Sequence, residues 1–466
     1  MTQSLFESFP KVSKEEWIAQ VTKDLRGKDF EETLFSKTAS GLPIQPFFTA
    51  EDNQGLEFIE PYRNLINPVS EIPGIGPRIW SNVHYEKVVE EESANKRILE
   101  ALANGADAIR IELKGGENYH VLLRDVYLQY IQVFIDPHGS PVAILQEFLS
   151  YLKAIEFPVD QLQGALMWGG LVYALRFKNS LSELVEHAYQ LLELSKGFQG
   201  FKVVGIVGTY YHNAGADAVQ ELAYAFGSWM DLTERLILKG VDVAYLVSKT
   251  FVGTAVGSDF FEEIAKMKAY RIFFHQLLSL YGVIIDPSSI FIYTSTSQWT
   301  KTQKDLHTNM IRNTCEAMAS VIGGCNALHV LPFDQASKEA DAFSLRMSRN
   351  ISSILQEESY LNKVMDPTAG SYYIENLLVQ LLEAAKDKLS VIEQEGGWWH
   401  LYASYQMQEE IKLTRQQKQQ KVVGGDTVIV GVNKYPNKAD IPTFNSRPQE
   451  ANWQLLPSRL SLLSEL

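Results

Sequence analysis

Eight short apolar runs, each followed by a loop and an amphipathic stretch, constrain this chain more than any other feature. They are RIWSNV (78–83), AIRIEL (108–113), IQVFID (131–136), ALMWGG (165–170), KVVGIVG (202–208), VAYLVS (243–248), SIFIYTS (289–295) and ALHVLP (327–332). Segments such as ANKRILEALANG, PVAILQEFLSYLKAI and LSELVEHAYQLLELSK lie between them and carry helical periodicity. Strands this apolar, alternating with helices, need cover on both faces, which a parallel sheet between helices provides. Eight such units predict an α/β fold, a closed (β/α)8 TIM-type barrel. An open doubly wound sheet is the alternative, but it usually carries a Gly-rich first turn. The G-x-G of this chain, Gly74-Ile75-Gly76, stands among prolines ahead of the first run and reads as a turn.

The flanks extend the barrel at both ends. Residues 13–29 have helical periodicity, with Ser13 and Glu16 spaced as a capping box. Residues 30–60 are irregular and rich in Pro and Phe, an arm that either wraps a partner or docks on its own barrel. After Tyr373 come two long helical stretches, NLLVQLLEAAKDKLSVIEQ and ASYQMQEEIKLTRQQKQQK. The Lys/Gln run from Lys412 to Lys421 is expected to be a solvated helix face. The expected organisation is an N-terminal helix and arm (1–60), the barrel domain (61–436) and a C-terminal tail (437–466).

Composition narrows the function classes. With 45% hydrophobic and 11% aromatic residues the chain has material for a large core. A net charge of −14 argues against nucleic acid, whose phosphates require a basic surface. No apolar run is long enough to span a bilayer, and no polybasic patch or signal core is present. Cys315 and Cys325 stand in no metal-like or C-x-x-C spacing and are expected to be buried free thiols of a cytoplasmic protein. Walker, G-x-S-x-G and H-E-x-x-H signatures are missing, and no metal site is expected.

More specific are WTKTQKDLHTNMIRNTCEAMAS from Trp299, ALHVLPFD, RNISSILQEES and VMDPTAGSYYIE. These resemble the barrel domain of the methylmalonyl-CoA mutase family, with its W-S-L-T-x-Q-D-P-Y-N-N-x-V-R, L-H-T-N-A-L-D-E, R-N-T-Q-x-x-L-Q-E-E-S and D-P-x-G-G-S-Y-Y-V-E. The resemblance extends to the arm (EEWIAQVTKDLRGKDF), to FFEEIAKMKAYRIF at 260–273 and to VIVGVNKYP. In family order the motifs run from about Glu15 to Pro436. Asp305, Asn309 and Arg312 fall on the family's D, second N and R, and a hydrogen-bond network between loop and helix is expected of them. Trp299 is expected to pack, and Ser371 to cap a helix.

The positions that carry the family's chemistry are altered. Leu331 and Gln335 replace the Asn and Glu that line its adenosyl side. SNVHYEKVVEEES replaces R-Q-Y-A-G-F-S-T-A-E-E-S, so that His84 or Tyr85 takes the Tyr position, and ALMWGG replaces the polar Q-N-D strand end. His212, in TYYHNAGAD, matches the family's catalytic His and is expected to be vestigial. Barrel chemistry sits at strand C-terminal ends, so losses there imply lost activity. Both D-x-H tripeptides, at Asp136 and at Asp305, lack the Gly of the family's cobalt-ligating D-x-H-x-x-G. The thirty residues after Pro436 are too few for a cobalamin domain.

The resemblance therefore implies a small, beta-type subunit of an isomerase. Its partner in a heterodimer would be a large catalytic mutase subunit, which would hold the adenosylcobalamin and interconvert methylmalonyl-CoA and succinyl-CoA, as in propionate metabolism. Alone, such a chain is expected to be inactive, with a homodimer as one form open to it in isolation. The alternative is a catalytic acyl-CoA mutase barrel served by a separate cobalamin-binding protein.

Overall fold

The computed structural model describes residues 12–63, 79–437 and 449–465. Its main sheet contains strands β1 (Ser81–Lys87), β2 (Ala108–Leu113), β3 (Gln132–Pro137) and β4 (Gln163–Leu166). It continues with β5, in two pieces (Phe201–Lys202 and Val204–Val207), β6 (Thr250–Val256), β7 (Ile292–Thr296) and β8 (Ala327–His329). All neighbours are parallel, from β1 against β2 round to β8 against β1. The break at Val203 closes the ring: the first piece of β5 pairs with β4 and the second with β6. The predicted (β/α)8 barrel is therefore present.

Tight approach of β4 to β3 depends on Gly164, whose φ is +130° and whose added Cβ would lie 2.0 Å from the Val133 carbonyl oxygen. No L side chain fits there. Inside the barrel Phe134, Phe251 and Tyr293 are fully buried with the small Ala108, Ala165 and Ala327 between them, and Phe291 and Met167 pack against the same cluster. Alternating large and small residues fill the axis, as close packing demands.

Two of the sequence expectations need correction in this region. VAYLVS (243–248) is a helix, Val243–Ser248, and the sixth strand is the next run, TFVGTAV. Asp242 is the deciding residue, because its side chain accepts from the Tyr245 amide at 2.8 Å and starts the turn. Six apolar residues are too few for periodicity to separate the two states. The first strand begins at Ser81 and runs to Lys87, later than RIWSNV. Trp80 lies outside the barrel, its indole Nε1 donating to Ser352 Oγ at 2.9 Å. Gly74-Ile75-Gly76 lies outside the described residues.

The arm is built as its caps dictate. Ser13 and Glu16 form the capping box, and the helix is Lys14–Asp24. From residue 36 the arm docks on its own barrel. Ala39 N donates to Asp259 at 3.0 Å, Ser40 Oγ accepts from Ala218 N at 2.9 Å, and Arg63 grips Glu375 through two bonds of 2.7 and 2.8 Å. The helix Lys14–Asp24, by contrast, has no buried residue.

C-terminal to the barrel, Ser371 caps the helix Tyr372–Gln394, and Trp398–Ala403 and Gln406–Gly424 follow. The basic run is only in part the solvated face expected of it: Gln416, Gln417, Gln420 and Lys421 are exposed, and other members are not. Arg415 and Gln419 are buried, Arg415 pairs with Glu450 at 2.6 Å, and Lys412 donates to the Ala451 carbonyl at 3.1 Å. These residues hold the tail, whose 449–465 segment crosses the C-terminal face of the barrel. Leu455 N bonds Leu175 O, Ser458 N bonds Asn213 O at 2.7 Å, and Leu460 N bonds Trp299 O at 2.7 Å. Cys325 is buried as expected but Cys315 is exposed, and neither is in a disulfide.

Candidate functional site

Strand C-terminal ends open into a cavity of about 1070 Å3. Leu455, Leu456 and Pro457 of the tail form part of its wall. Because inward residues alternate along each strand, Tyr85, Arg110, Asp136, Tyr293 and His329 meet there. Tyr85 is the residue of β1 that enters the mouth, stacked on His329 with ring centroids 5.6 Å apart. His84 borders the same cavity, its Nε2 3.6 Å from Glu86, itself bound by Arg97 at 2.6 Å.

The mouth is polar, although the fourth strand ends in the apolar ALMWGG. Arg110 pairs with Asp136, donates to Tyr293 Oη at 3.3 Å and lies over the rings of Tyr85 and Tyr293. Tyr85 donates to Glu112. His138 Nδ1 faces Glu112 at 3.4 Å while its Nε2 meets Arg176 at 3.1 Å. The groups come from β1, β2, β3, β7 and β8, and no contiguous motif contains them. Their one sequence signal was a charged or polar residue at each strand end, in AIRIEL, QVFIDPH and ALH.

Electrostatics fix the protonation of the cluster. Burial works against the Arg110 charge, but Asp136 and Tyr293 outweigh it and hold the group well above its usual value. Burial, then the charges of Arg110 and His84, push His329 down to about 3, so that its ring is neutral at neutral pH. His138 is lowered by burial and by Arg176, with Asp136 and Glu112 opposing. The Tyr85 hydroxyl is raised by burial and by its bond to Glu112.

His212 is not among the residues lining this cavity. It sits beneath, in a buried knot of ionisable groups. Its Nε2 meets Ser297 Oγ at 2.8 Å and its Nδ1 meets Glu221 at 3.3 Å. Glu221 also takes Lys266 at 2.8 Å and Tyr270 at 3.0 Å. Leu331 and Gln335 do line the cavity. Leu331 is held through its backbone, N to Thr296 Oγ1 at 2.9 Å and O from Asn313 Nδ2 at 2.7 Å. Trp299 is buried, and Asn309 and Arg312 form the expected network. Asn309 Oδ1 accepts from Thr302 N at 3.1 Å and Arg312 at 2.7 Å, and Arg312 reaches Val430 O at 2.6 Å. Asp305 sits in the same loop with φ +50°, accepting from Thr308 Oγ1 at 2.6 Å. No group of His, Cys, Asp and Glu among the described residues has the arrangement of a metal site.

The family model described as methylmalonyl-CoA mutase matches residues 114–454. The chain belongs to the methylmalonyl-CoA mutase family. It is similar to the methylmalonyl-CoA mutase small subunit of Porphyromonas gingivalis, with 28% identity over 94% of this chain and 72% of that one. The small subunit of Streptomyces virginiae is similar at 27% identity, over 94% and 73%. The mitochondrial methylmalonyl-CoA mutase of Homo sapiens is 25% identical over 90% of this chain but only 60% of its own length. The family's barrel is thus present in a chain whose mouth carries Leu331 and Gln335 and whose His212 is enclosed by protein.

Proposed function

We propose that this chain is the small subunit of an adenosylcobalamin-dependent methylmalonyl-CoA mutase, and that it supports a large catalytic subunit without turning over substrate itself. The observation that carries the non-catalytic reading is the filled barrel axis below the cavity. Phe134, Phe251 and Tyr293 occupy it, and a side-chain core of that density leaves no channel for an acyl chain. Enclosure of His212 points the same way, since a general acid or base must reach the reacting atoms.

The residues present do not fit cobalamin ligation. His138 has Glu112 at one ring nitrogen and Arg176 at the other, and the ring of His307 stacks on Phe333 at 5.3 Å. We therefore assign the cofactor to the partner. Among the described residues no helix is long and apolar enough to cross a membrane, and the two cysteines are free thiols, which supports a cytoplasmic location.

Co-expression with the large subunit tests the reading. Mutase activity with adenosylcobalamin and methylmalonyl-CoA is expected from a one-to-one complex and not from this chain alone. Turnover by this chain with a free-standing cobalamin-binding protein would overturn the proposal.

A further inference from the structure

Arg349 is a charge in the mouth that the described residues leave without an ion pair. It lies on the helix Ala342–Glu357, is 8% exposed and lines the cavity. Its Nε has no hydrogen-bond partner, and no ion pair engages its guanidinium among the described residues. Burial disfavours its charge, the charge of Glu100 offsets part of this, and neighbouring Arg346 adds a smaller repulsion. A guanidinium nitrogen buried in this state is costly, and two other mouth arginines have carboxylate partners: Arg97 with Glu86 and Arg110 with Asp136.

Two further observations point to what would answer it. Among the described residues the cavity is lined by six Lys or Arg side chains against four carboxylates, in a chain whose net charge is −14. A local basic surplus on an acidic protein favours an anion. His329, 6% exposed, also lines the cavity, and its Nδ1 is unpartnered. Neutral imidazole there can donate to or accept from a ligand. Its stack with Tyr85 offers an aromatic wall, and the cavity volume is of the order of small-molecule sites, about 300–1000 Å3.

We propose that this cavity binds a small organic oxyanion, a carboxylate or phosphate monoester carried on a planar ring, with Arg349 taking the anionic head. The site is independent of the supporting-subunit reading, since it requires neither cofactor nor partner.

Calorimetric titration of the full chain with adenosine 5′-monophosphate, benzoate and adenosine tests it. At least one of the two anions should bind saturably with a Kd below about 1 mM, and adenosine at least about tenfold more weakly than the nucleotide. Which anion binds more tightly separates the phosphate from the carboxylate source. Arg349→Met should weaken that anion about tenfold or more, and Arg349→Lys should restore part of the loss. The thermal midpoint of unliganded Arg349→Met should be unchanged or higher, because an unpaired buried cation has been removed. The proposal is overturned if neither anion binds saturably, if the nucleotide is the one anion that binds and gains nothing over adenosine, or if Arg349→Met binds as the parent does.

Discussion

Lys266 and Glu221 have no exposed side-chain surface, yet both are charged. Burial alone would push Glu221 up. The Lys266 charge and the hydrogen bonds from His212 and Lys266 reverse this and hold it at about 2. Because the folded value lies below the ordinary carboxyl value of 4.5, this group's contribution to stability is complete above pH 4.5 and is lost as pH falls towards about 2. Glu221→Gln removes one partner of a buried pair and should cost about 3 kcal/mol at pH 7. Urea unfolding at pH 7 and at pH 3.5 checks both statements: the variant should also lose less stability than the parent between those two values. Equal stability at pH 7 would mean the knot does not hold this region. At the same scale His212 shows how a matching residue can mislead. Its place in the sequence pattern was legible, but Ser297, Glu221 and Lys266 come from distant segments, and no spacing revealed that they enclose it.

At the scale of elements, the arm and the tail are each attached by a few polar contacts. Burial, with the charges of Asp259 and Glu263, raises Glu262 to about 7 against the bonds from Thr38 and Ser40. A carboxyl raised in the folded state contributes fully below its unfolded value near 4.5 and loses that contribution as pH rises through about 7. Hydrogen exchange at Ala39 and Ser40 should therefore be slower at pH 6 than at pH 8, after correction for intrinsic rates. Glu262→Gln should remove most of that difference, and a parent protein with none would refute the coupling. Elements with strong local signals were legible from sequence alone: the Ser13 capping box, the Ser371 cap and AIRIEL, whose six residues are the whole of β2. VAYLVS was not, since its state turns on one Asp242 side chain.

For the whole molecule, the division of the arm has a consequence for assembly. Residues from 36 onward are tied to the barrel, while the helix Lys14–Asp24 buries nothing and presents Trp17 against Phe30 and Phe47. Deleting residues 1–34 should leave the unfolding transition of the barrel within about 0.5 kcal/mol of the parent. It should also weaken co-purification with the large subunit severely. An unchanged complex would locate the interface elsewhere.

The alternation of apolar runs and amphipathic helices was sufficient for the barrel class, because runs covered on both faces close in eight such units, although VAYLVS stood in for the true sixth strand. The ordered family motifs were likewise enough for membership, with Leu331 and Gln335 marking the altered mouth. Only the tertiary structure decided what the mouth contains. Arg110, Asp136, His138, Tyr293 and His329 span more than two hundred residues, and each is ordinary where it stands in the sequence. Barrel closure turns them to one centre, where low solvent exposure makes their charges interact. The same closure left Arg349 buried, its Nε without a partner among the described residues, a fact about packing that no local pattern records.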